Sequence, residues 1–338
     1  MTASAPPPDG AVTPLSQRDA AAAPWGDLGA WLRTQRRLAC RPRLESGWAS
    51  VCGVGHARNQ DAVLAAAPLF AVADGVGGGS AGELASSLLL AWCRDIPPSA
   101  WRRPETLAAR LREADAALAQ ALQALSPGGR SATTFAGAWL RADGRGLVAH
   151  VGDTRVLRLR PRRDAWRLTR LTADQTYASL GEVPPAGSRP DDPARMVGVG
   201  AIGDPPVARL RLRENDWLLL CSDGLHRFVP EPALAALLAG MCRHDAAAPL
   251  HVLTQRLTQA AIQAGSRDDI SVLLVRRNPL GGARVGFWLA AAASVAMALL
   301  LPGAGRFAPA AETGAPPVPA PVASAPSTAR AAAPLSPR

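Results

Sequence analysis

Short apolar runs bounded by Gly, Asp or Ser recur through the middle of the chain. Runs of this length without helical spacing are typical of buried β-strands. They predict strands over residues 48–52, 69–73, 133–140, 147–151, 156–160, 217–221 and 270–275. The third and fourth runs flank Ala142-Asp143-Gly144, whose residue types favour a hairpin turn. The pattern therefore predicts a domain in which strands dominate.

Helical spacing appears in three other stretches. Leucines at positions 107, 111, 118, 122 and 125 predict a helix over residues 104–125. Two Ala/Leu-rich helices should follow near residues 231–241 and 251–263. Six prolines between residues 181 and 206 exclude regular structure in that region.

The two ends of the chain differ from its middle. Residues 1–40 form an Ala/Pro-rich arm that we expect to be disordered, with room for one short helix and without a signal peptide. Residues 306–338 predict a disordered Ala/Pro-rich tail. Between the domain at 45–277 and the tail, residues 285–305 carry no charge and are long enough to span a bilayer as a transmembrane helix.

The charges around this predicted span indicate its orientation. Arg276, Arg277 and Arg284 precede it, and Arg306 follows it. The positive-inside rule therefore predicts a single-pass protein of the inner (cytoplasmic) membrane with its domain in the cytoplasm. The span is rich in alanine, so a peripheral or soluble protein stays an alternative. A buried core helix is disfavoured because the segment lies beyond the last predicted strand.

The composition of the chain argues against several classes of function and of site. The chain has 338 residues, 48% of them hydrophobic, and a net charge of +10. All 37 basic residues are arginines, scattered and with few aromatic neighbours, which argues against nucleic-acid binding. The five cysteines lack CxxC spacing, so free thiols in a reducing compartment are favoured over zinc sites or disulfides.

Aspartates stand at the ends of several predicted strands. Asp74 and Asp223 each close an apolar run and precede Gly, Asp153 lies in a Gly-Asp-Thr turn, Asp61 ends another strand, and Asp268 precedes the last one. Strand ends of one sheet can meet at one edge, and carboxylates gathered there need cations to stay ionised. Oxygen ligands favour Mg²⁺ or Mn²⁺ over zinc. Because such ions activate water and hold phosphoryl oxygens, the residues predict metal-assisted phosphoester hydrolysis.

Seven short motifs, in this order, resemble those of the bacterial PP2C-type (PPM) metal-dependent serine/threonine protein phosphatases. They are Gly53 with Asn59-Gln60-Asp61, Ala73-Asp74-Gly75-Val76-Gly77-Gly78, Ala132-Thr133-Thr134, Val151-Gly152-Asp153-Thr154-Arg155, Leu171-Thr172-Ala173-Asp174, Leu220-Cys221-Ser222-Asp223-Gly224 and Gly265-Ser266-Arg267-Asp268-Asp269. The resemblance implies an α+β fold: a β-sandwich of two antiparallel sheets flanked by helices (αββα layers), with metals in a cleft at one end. The transmembrane helix would be added to this fold.

The resemblance also implies roles for single residues. The catalytic acids would be Asp74, Asp223 and Asp268, with Asp74 bridging two Mn²⁺ or Mg²⁺ ions. Asp153 and Asp223 would hold a weaker third ion. The full set of metal ligands would be Gln60, Asp61, Asp74, Gly75 through its carbonyl, Asp153, Asp223 and Asp268. The implied activity is hydrolysis of phosphoserine and phosphothreonine in substrates of a serine/threonine kinase, by metal-activated water, in signal transduction.

The chain departs from the family pattern at four positions. Two of them are Asp269, where the family has Asn, and Gly79, where bacterial members frequently have His. Gln60 stands where the family has Glu, which removes a negative charge beside the second metal. His56 stands where the family has a phosphate-binding Arg. Arg58 could substitute if positions 56, 58 and 60 share one face of a strand. The departures at Gln60 and His56 keep an alternative open: a catalytically weak pseudophosphatase that acts as a phosphoprotein-binding or membrane scaffold module.

Overall fold

The structure, a computed structural model, describes residues 43–77, 80–125, 131–163, 165–200, 202–245 and 248–279. Its strands are β1 Leu44–Val51, β2 Ala62–Ala66, β3 Leu69–Ala73, β4 Gly75–Val76, β5 Ala132–Thr133, β6 Phe135–Leu140, β7 Arg145–Val151, β8 Arg155–Pro161, β9 Trp166–Arg170, β10 Val207–Arg211, β11 Trp217–Cys221 and β12 Ile270–Arg277. Its helices are α1 Ser80–Arg94, α2 Pro104–Leu125, α3 Tyr177–Leu180, α4 Asp223–His226, α5 Glu231–His244 and α6 Leu250–Gln263, with a 3₁₀ turn at Ala100–Arg102.

Two antiparallel sheets form the centre of the fold. One has the strand order β1-β12-β11-β8-β9 and the other β10-β7-β6-β3-β2, while β4 and β5 pair separately. The predicted hairpin is present, with β6 and β7 paired from Phe135 opposite Val151 to Leu140 opposite Gly146. The predicted helix at Pro104–Leu125 is also confirmed.

The central strands are apolar on both faces because both faces are covered. In β3, Phe70 and Val72 pack in the cluster between the two sheets, whereas Leu69, Ala71 and Ala73 pack in the cluster that contains α1 and α2. The strand β11 divides in the same way: Leu218 and Leu220 point between the sheets, and its other apolar residues pack with α5 and α6. Period-two alternation therefore survives within a continuous apolar run.

Helices cover the outer faces, so the order of layers is helix, sheet, sheet, helix. Leucines 107, 111, 118 and 122 of α2 are buried against the β3-β6-β7 sheet, as their spacing predicted. Leu253 and Leu257 of α6 and Leu234 and Leu238 of α5 are buried against the other sheet. The implied two antiparallel sheets with flanking helices are confirmed.

The long Pro-rich region is irregular, as predicted. Between α3 and β10 the described residues contain no helix or strand. Its backbone is nevertheless attached to the domain, because Thr133 and Val197 exchange both backbone hydrogen bonds, at 2.9 and 2.8 Å. Asp115 of α2 holds the same region: its buried carboxylate accepts the backbone N–H groups of Gly198, Val199, Gly200 and Ile202 at 2.7–3.2 Å.

Two local predictions are wrong. Residues 52–61 form turns and bends between β1 and β2, so positions 56, 58 and 60 do not share a strand face. Gly55 has a φ of +92°, which turns the chain away from an extended path. In addition, Asp61 precedes β2 and does not end a strand.

Several predictions fall outside the described residues: the arm over 1–40, the span over 285–305 and the tail over 306–338. Within the described ranges, no helix has the length and apolar content needed to cross a bilayer. Of the cysteines in those ranges, Cys93, Cys221 and Cys242 are buried free thiols and Cys52 is an exposed one, in agreement with the cysteine pattern.

Candidate active site

Four of the predicted acids converge on one cavity of about 360 Å³. It is lined by Asp74, Asp153, Asp223 and Asp268, together with the backbone of Gly75. Asp74 follows β3, Asp153 follows β7, Asp223 follows β11, and Asp268 lies just before β12. The strands come from both sheets, and their ends meet at the same end of the sandwich. The four acids therefore meet in one cavity, but the prediction had placed them at the edge of one sheet, whereas the structure brings them together from two.

The acids of this cavity strongly affect one another's pKa values. Burial and the charge of Asp223 raise the pKa of Asp153 to about 7, against the lowering effect of Arg227. Desolvation raises the pKa of Asp74 well above its ordinary value, and Asp61, Asp223, Asp153 and Asp268 all add to that effect. Desolvation also raises the pKa of Asp223. The site therefore holds more negative charge than its surroundings compensate.

Asp61 lies behind this cavity and does not line it. Its Oδ2 accepts a hydrogen bond from Ser222 Oγ at 2.9 Å, and its buried Oδ1 has no hydrogen-bond partner among the described residues. Desolvation raises the pKa of Asp61 to about 8; serine hydroxyls oppose this shift, and Asp269 and Asp223 add to it. Its position suits an acid that supports the cavity from the side of β11.

The Gly75 backbone is fixed by close packing. Gly75 N–H donates to the Gln60 carbonyl at 3.2 Å, and a Cβ atom on Gly75 would lie 2.2 Å from the Gly82 carbonyl oxygen. The side-chain amide of Gln60 lies against Gly82, where an added Cβ would be 2.1 Å from Gln60 Oε1. Glycine is therefore required at 75, where backbone atoms block a Cβ, whereas a Cβ at 82 would meet the flexible end of the Gln60 side chain.

The two predicted phosphate-binding residues form their contacts outside the acidic cavity. His56 Nδ1 lies 3.1 Å from Asp269 Oδ1, and Arg58 Nη1 lies 3.3 Å from Glu83 Oε2 on the exposed surface. Neither His56 nor Arg58 lines the acidic cavity. The motif residue Arg155 is also occupied, because it forms a two-pronged ion pair with Asp174 at 2.9 and 2.5 Å.

Asp269 is a residue whose role the sequence did not reveal. Its buried carboxylate accepts the N–H groups of Gly53 and Gln60, each at 2.7 Å, and contacts His56. It therefore closes the 53–60 turn onto the start of β12. The only sequence signal was its place beside Asp268, which gave no indication of a bond to residues more than 200 positions earlier.

Arg227 was also missed. Its Nη2 lies 2.9 Å from Asp153 Oδ2 and its Nη1 lies 3.0 Å from Asp223 Oδ2. Nη2 also donates to the Asp191 carbonyl at 2.6 Å. Among the described residues that line the cavity, Arg227 is the single basic one. The i,i+4 spacing from Asp223 was the available signal.

The Pro-rich region forms one wall of the cavity. Ser188, Asp192, Pro193 and Met196 of this region line it, as does Tyr177 of α3, and Asp192 adds a further acid to the lining. Arg195 of the same region forms an ion pair with Glu182, at 2.9 and 2.5 Å. This pair connects two parts of the region to each other.

The donor set fits divalent cations such as Mn²⁺ or Mg²⁺. The donors are carboxylates and one glycine carbonyl, and they surround an open volume. The carboxylates raise one another's pKa because too little positive charge is present. Across the described ranges, no group of three or more His, Cys, Asp or Glu side chains is arranged so that it could hold a metal ion by itself. Hard cations of this kind keep several water ligands, so they do not need a complete protein cage.

Comparisons with known proteins agree with this geometry. A sequence model described as Stage II sporulation protein E (SpoIIE) matches residues 67–278. The serine/threonine protein phosphatase PstP of Mycobacterium tuberculosis (strain CDC 1551 / Oshkosh) is 32% identical over 232 residues, which are 66% of this chain and 43% of that protein. The serine/threonine phosphatase stp of Listeria innocua is 27% identical over 231 residues, 62% of this chain and 85% of that protein.

A solved structure shows the same fold. The catalytic domain of serine threonine protein phosphatase PstP, in complex with two manganese ions, matches with a TM-score of 0.57 and 28% identity, over 70% of this chain and 99% of that domain. This chain spans less than half the length of full PstP. The family model covers well over half of the 338 residues. The resemblance seen in the motifs is confirmed, and the chain belongs to the SpoIIE/PP2C family.

Proposed function

We propose that this chain is a metal-dependent serine/threonine protein phosphatase of the PPM type. The observation that carries the proposal is the cavity in which Asp74, Asp153, Asp223 and Asp268 meet beside the Gly75 backbone. Oxygen donors at this density suit Mn²⁺ or Mg²⁺, and the manganese-bound PstP domain has the same fold.

The residues have separate tasks in this proposal. Asp74 would be one of the residues that hold the ions, since desolvation raises the pKa of its carboxyl group and four neighbouring acids add to that shift. Gly75 would add its carbonyl to one ion, and Asp223 and Asp268 would complete that ion's ligands. Asp61 would act from behind the cavity through Ser222. Gln60 would bind the second ion weakly, because an amide oxygen carries no full charge.

The bound ions would supply an activated water and offset charge on the phosphoryl oxygens. In this proposal the phosphoryl group would lie in the cavity that the acids, Arg227 and residues of the Pro-rich region line together. Substrates would be phosphorylated proteins, since the similar proteins are named serine/threonine phosphatases.

The experiment is phosphate release from a phosphothreonine peptide by the full chain. We expect turnover with Mn²⁺, loss of turnover with excess chelator, and loss in Asp74→Asn and Asp223→Asn. Asp143→Asn is the matched control, because that aspartate lies in an exposed hairpin turn away from the cavity. Full activity in chelator, or in either cavity variant, contradicts the proposal. Manganese binding without any turnover supports the pseudophosphatase alternative.

Membrane attachment is a separate proposal that rests on sequence alone. Residues 285–305 would anchor the chain, with the domain in the cytoplasm, because their uncharged length matches a bilayer. Fractionation of a C-terminally tagged chain tests this: the expected result is carbonate-resistant membrane retention. Recovery of the full-length chain in the soluble fraction would refute it.

A further inference from the structure

The Arg227 guanidinium lies between two of the acids to which the family resemblance assigns a third ion. Its Nη1 and Nη2 contact Asp223 Oδ2 at 3.0 Å and Asp153 Oδ2 at 2.9 Å. Asp153 is 2% exposed and Asp223 is 8% exposed, whereas the Arg227 side chain is 35% exposed, so two buried carboxylates meet a cation that is partly open to solvent. The two terminal nitrogens of one planar group therefore bridge two carboxylates that belong to different sheets.

The position of this guanidinium is determined by the fold from three sides. Arg227 follows α4, and its backbone N–H donates to the Asp223 carbonyl at 3.0 Å, which places its side chain on the same side as Asp223. Asp153 approaches from the end of β7. The third acceptor is the Asp191 carbonyl of the Pro-rich region, 2.6 Å from Nη2. Three separate segments thus supply acceptors to one fork-shaped donor.

The consequence for metal binding follows from charge and space. An ion placed between the Oδ2 atoms of Asp153 and Asp223 would meet Nη1 and Nη2 there, and the guanidinium charge would repel it. Arginine stays protonated at any pH that a protein tolerates, so this cation is permanent. Asp74 and Asp268 make no ion pair with Arg227 and remain available to other ions.

We propose that Arg227 is a built-in cation that replaces a third divalent ion between Asp153 and Asp223, so that this chain binds two ions and no third. The inference rests on the proposed metal-dependent function and deepens it. Arg227 is a positioning residue in this role, because it holds Asp153, Asp223 and the Pro-rich wall in fixed relation.

The test counts Mn²⁺ ions bound to the full chain, by electron paramagnetic resonance of free Mn²⁺ during a titration into the millimolar range. The wild type should bind two ions. Arg227→Gln removes the charge but keeps much of the side-chain volume, and it should bind a third, weaker ion. Arg227→Gln combined with Asp153→Asn should return to two. Arg112→Gln is the matched control, since Arg112 pairs with Asp204 on the exposed surface, and it should bind two.

Asp153→Asn alone makes the test independent of whether Arg227→Gln folds. Because Asp153 holds Arg227 and not an ion in this proposal, Asp153→Asn should leave the count at two. Three ions on the wild type, two on a folded Arg227→Gln, or a loss of one ion in Asp153→Asn would each overturn the inference.

Peptide hydrolysis measured in parallel separates this inference from the proposed function. Two ions on a wild type that does not hydrolyse the peptide would refute the function and leave the inference standing. Hydrolysis with three ions bound would refute the inference alone. A chain that binds no Mn²⁺ would overturn both.

Discussion

Replacing Asp269 by Ala should destabilise the domain and weaken its metal site together. Asp269 is 4% exposed, and its carboxylate accepts two backbone N–H groups at 2.7 Å and contacts His56 Nδ1 at 3.1 Å. These bonds connect the turn at residues 53–60 to the start of β12. Without these bonds, the turn that carries Gln60 loses its attachment to the start of β12.

The magnitude follows from the number and kind of bonds. Each hydrogen bond to a charged group contributes about 1.5–3 kcal/mol. The contact with half-exposed His56 adds little. Removing a buried charge recovers part of its desolvation cost, so the two backbone bonds give a net loss of about 2–4 kcal/mol in the free energy of unfolding. For a domain of this size that is a fall of roughly 5–10 °C in Tm.

Urea unfolding followed by tryptophan fluorescence measures the change. Asp143→Ala is the control: its carboxylate accepts one backbone N–H, from Arg145 at 3.0 Å, in an exposed turn. The loss there should be below about 1 kcal/mol, because the N–H can bond to water instead. If Asp269→Ala costs no more than Asp143→Ala, the attachment argument is refuted.

The same variant has a functional consequence. The Gln60 backbone is held by Asp269 on one side and by Gly75 and Ser86 on the other. Releasing one side should raise the Mn²⁺ concentration needed for half-maximal phosphatase activity. Asp269→Asn keeps one carbonyl oxygen and should fall between the wild type and Asp269→Ala in both measurements.

Three further variants have defined outcomes. Gln60→Glu restores a charge and should lower the half-maximal Mn²⁺ concentration about tenfold, or roughly 1.4 kcal/mol; an unchanged or higher value would show that Gln60 does not act on the metals. Gly82→Ala places a Cβ 2.1 Å from Gln60 Oε1 and should displace that flexible amide, which raises the Mn²⁺ requirement with little loss of Tm; an unaltered metal requirement would contradict it. Asp115→Ala removes the acceptor for four backbone N–H groups and should speed amide hydrogen exchange over residues 198–202, with a loss of about 2–5 kcal/mol in unfolding free energy; exchange as slow as in the wild type would contradict it.

The local sequence pattern was sufficient to predict the helices and strands and to identify most of the acids in the cavity. The strand at Leu69–Ala73 and the helix at Pro104–Leu125 were predicted because apolar runs and leucine spacing depend on residues that are close in sequence. Asp74 and Asp223 were found for the same reason, since each follows a buried strand and precedes Gly. The sequence predicted that these strand ends would meet at the edge of one sheet, whereas they come from two sheets, which depends on how the sandwich is assembled.

Tertiary structure decided which charges meet. Arg227 contacts Asp153, 74 residues earlier, and Asp269 contacts Gly53, 216 residues earlier. Nothing in the spacing of these residues indicates either contact, because the contacts depend on how the two sheets and the Pro-rich region are placed. The turn at 53–60 was mistaken for a strand for a related reason: its shape is held by a distant carboxylate and not by its own residues. Strand periodicity is a property of neighbouring residues, whereas a carboxylate pairs with whichever donor the completed fold brings within about 3 Å.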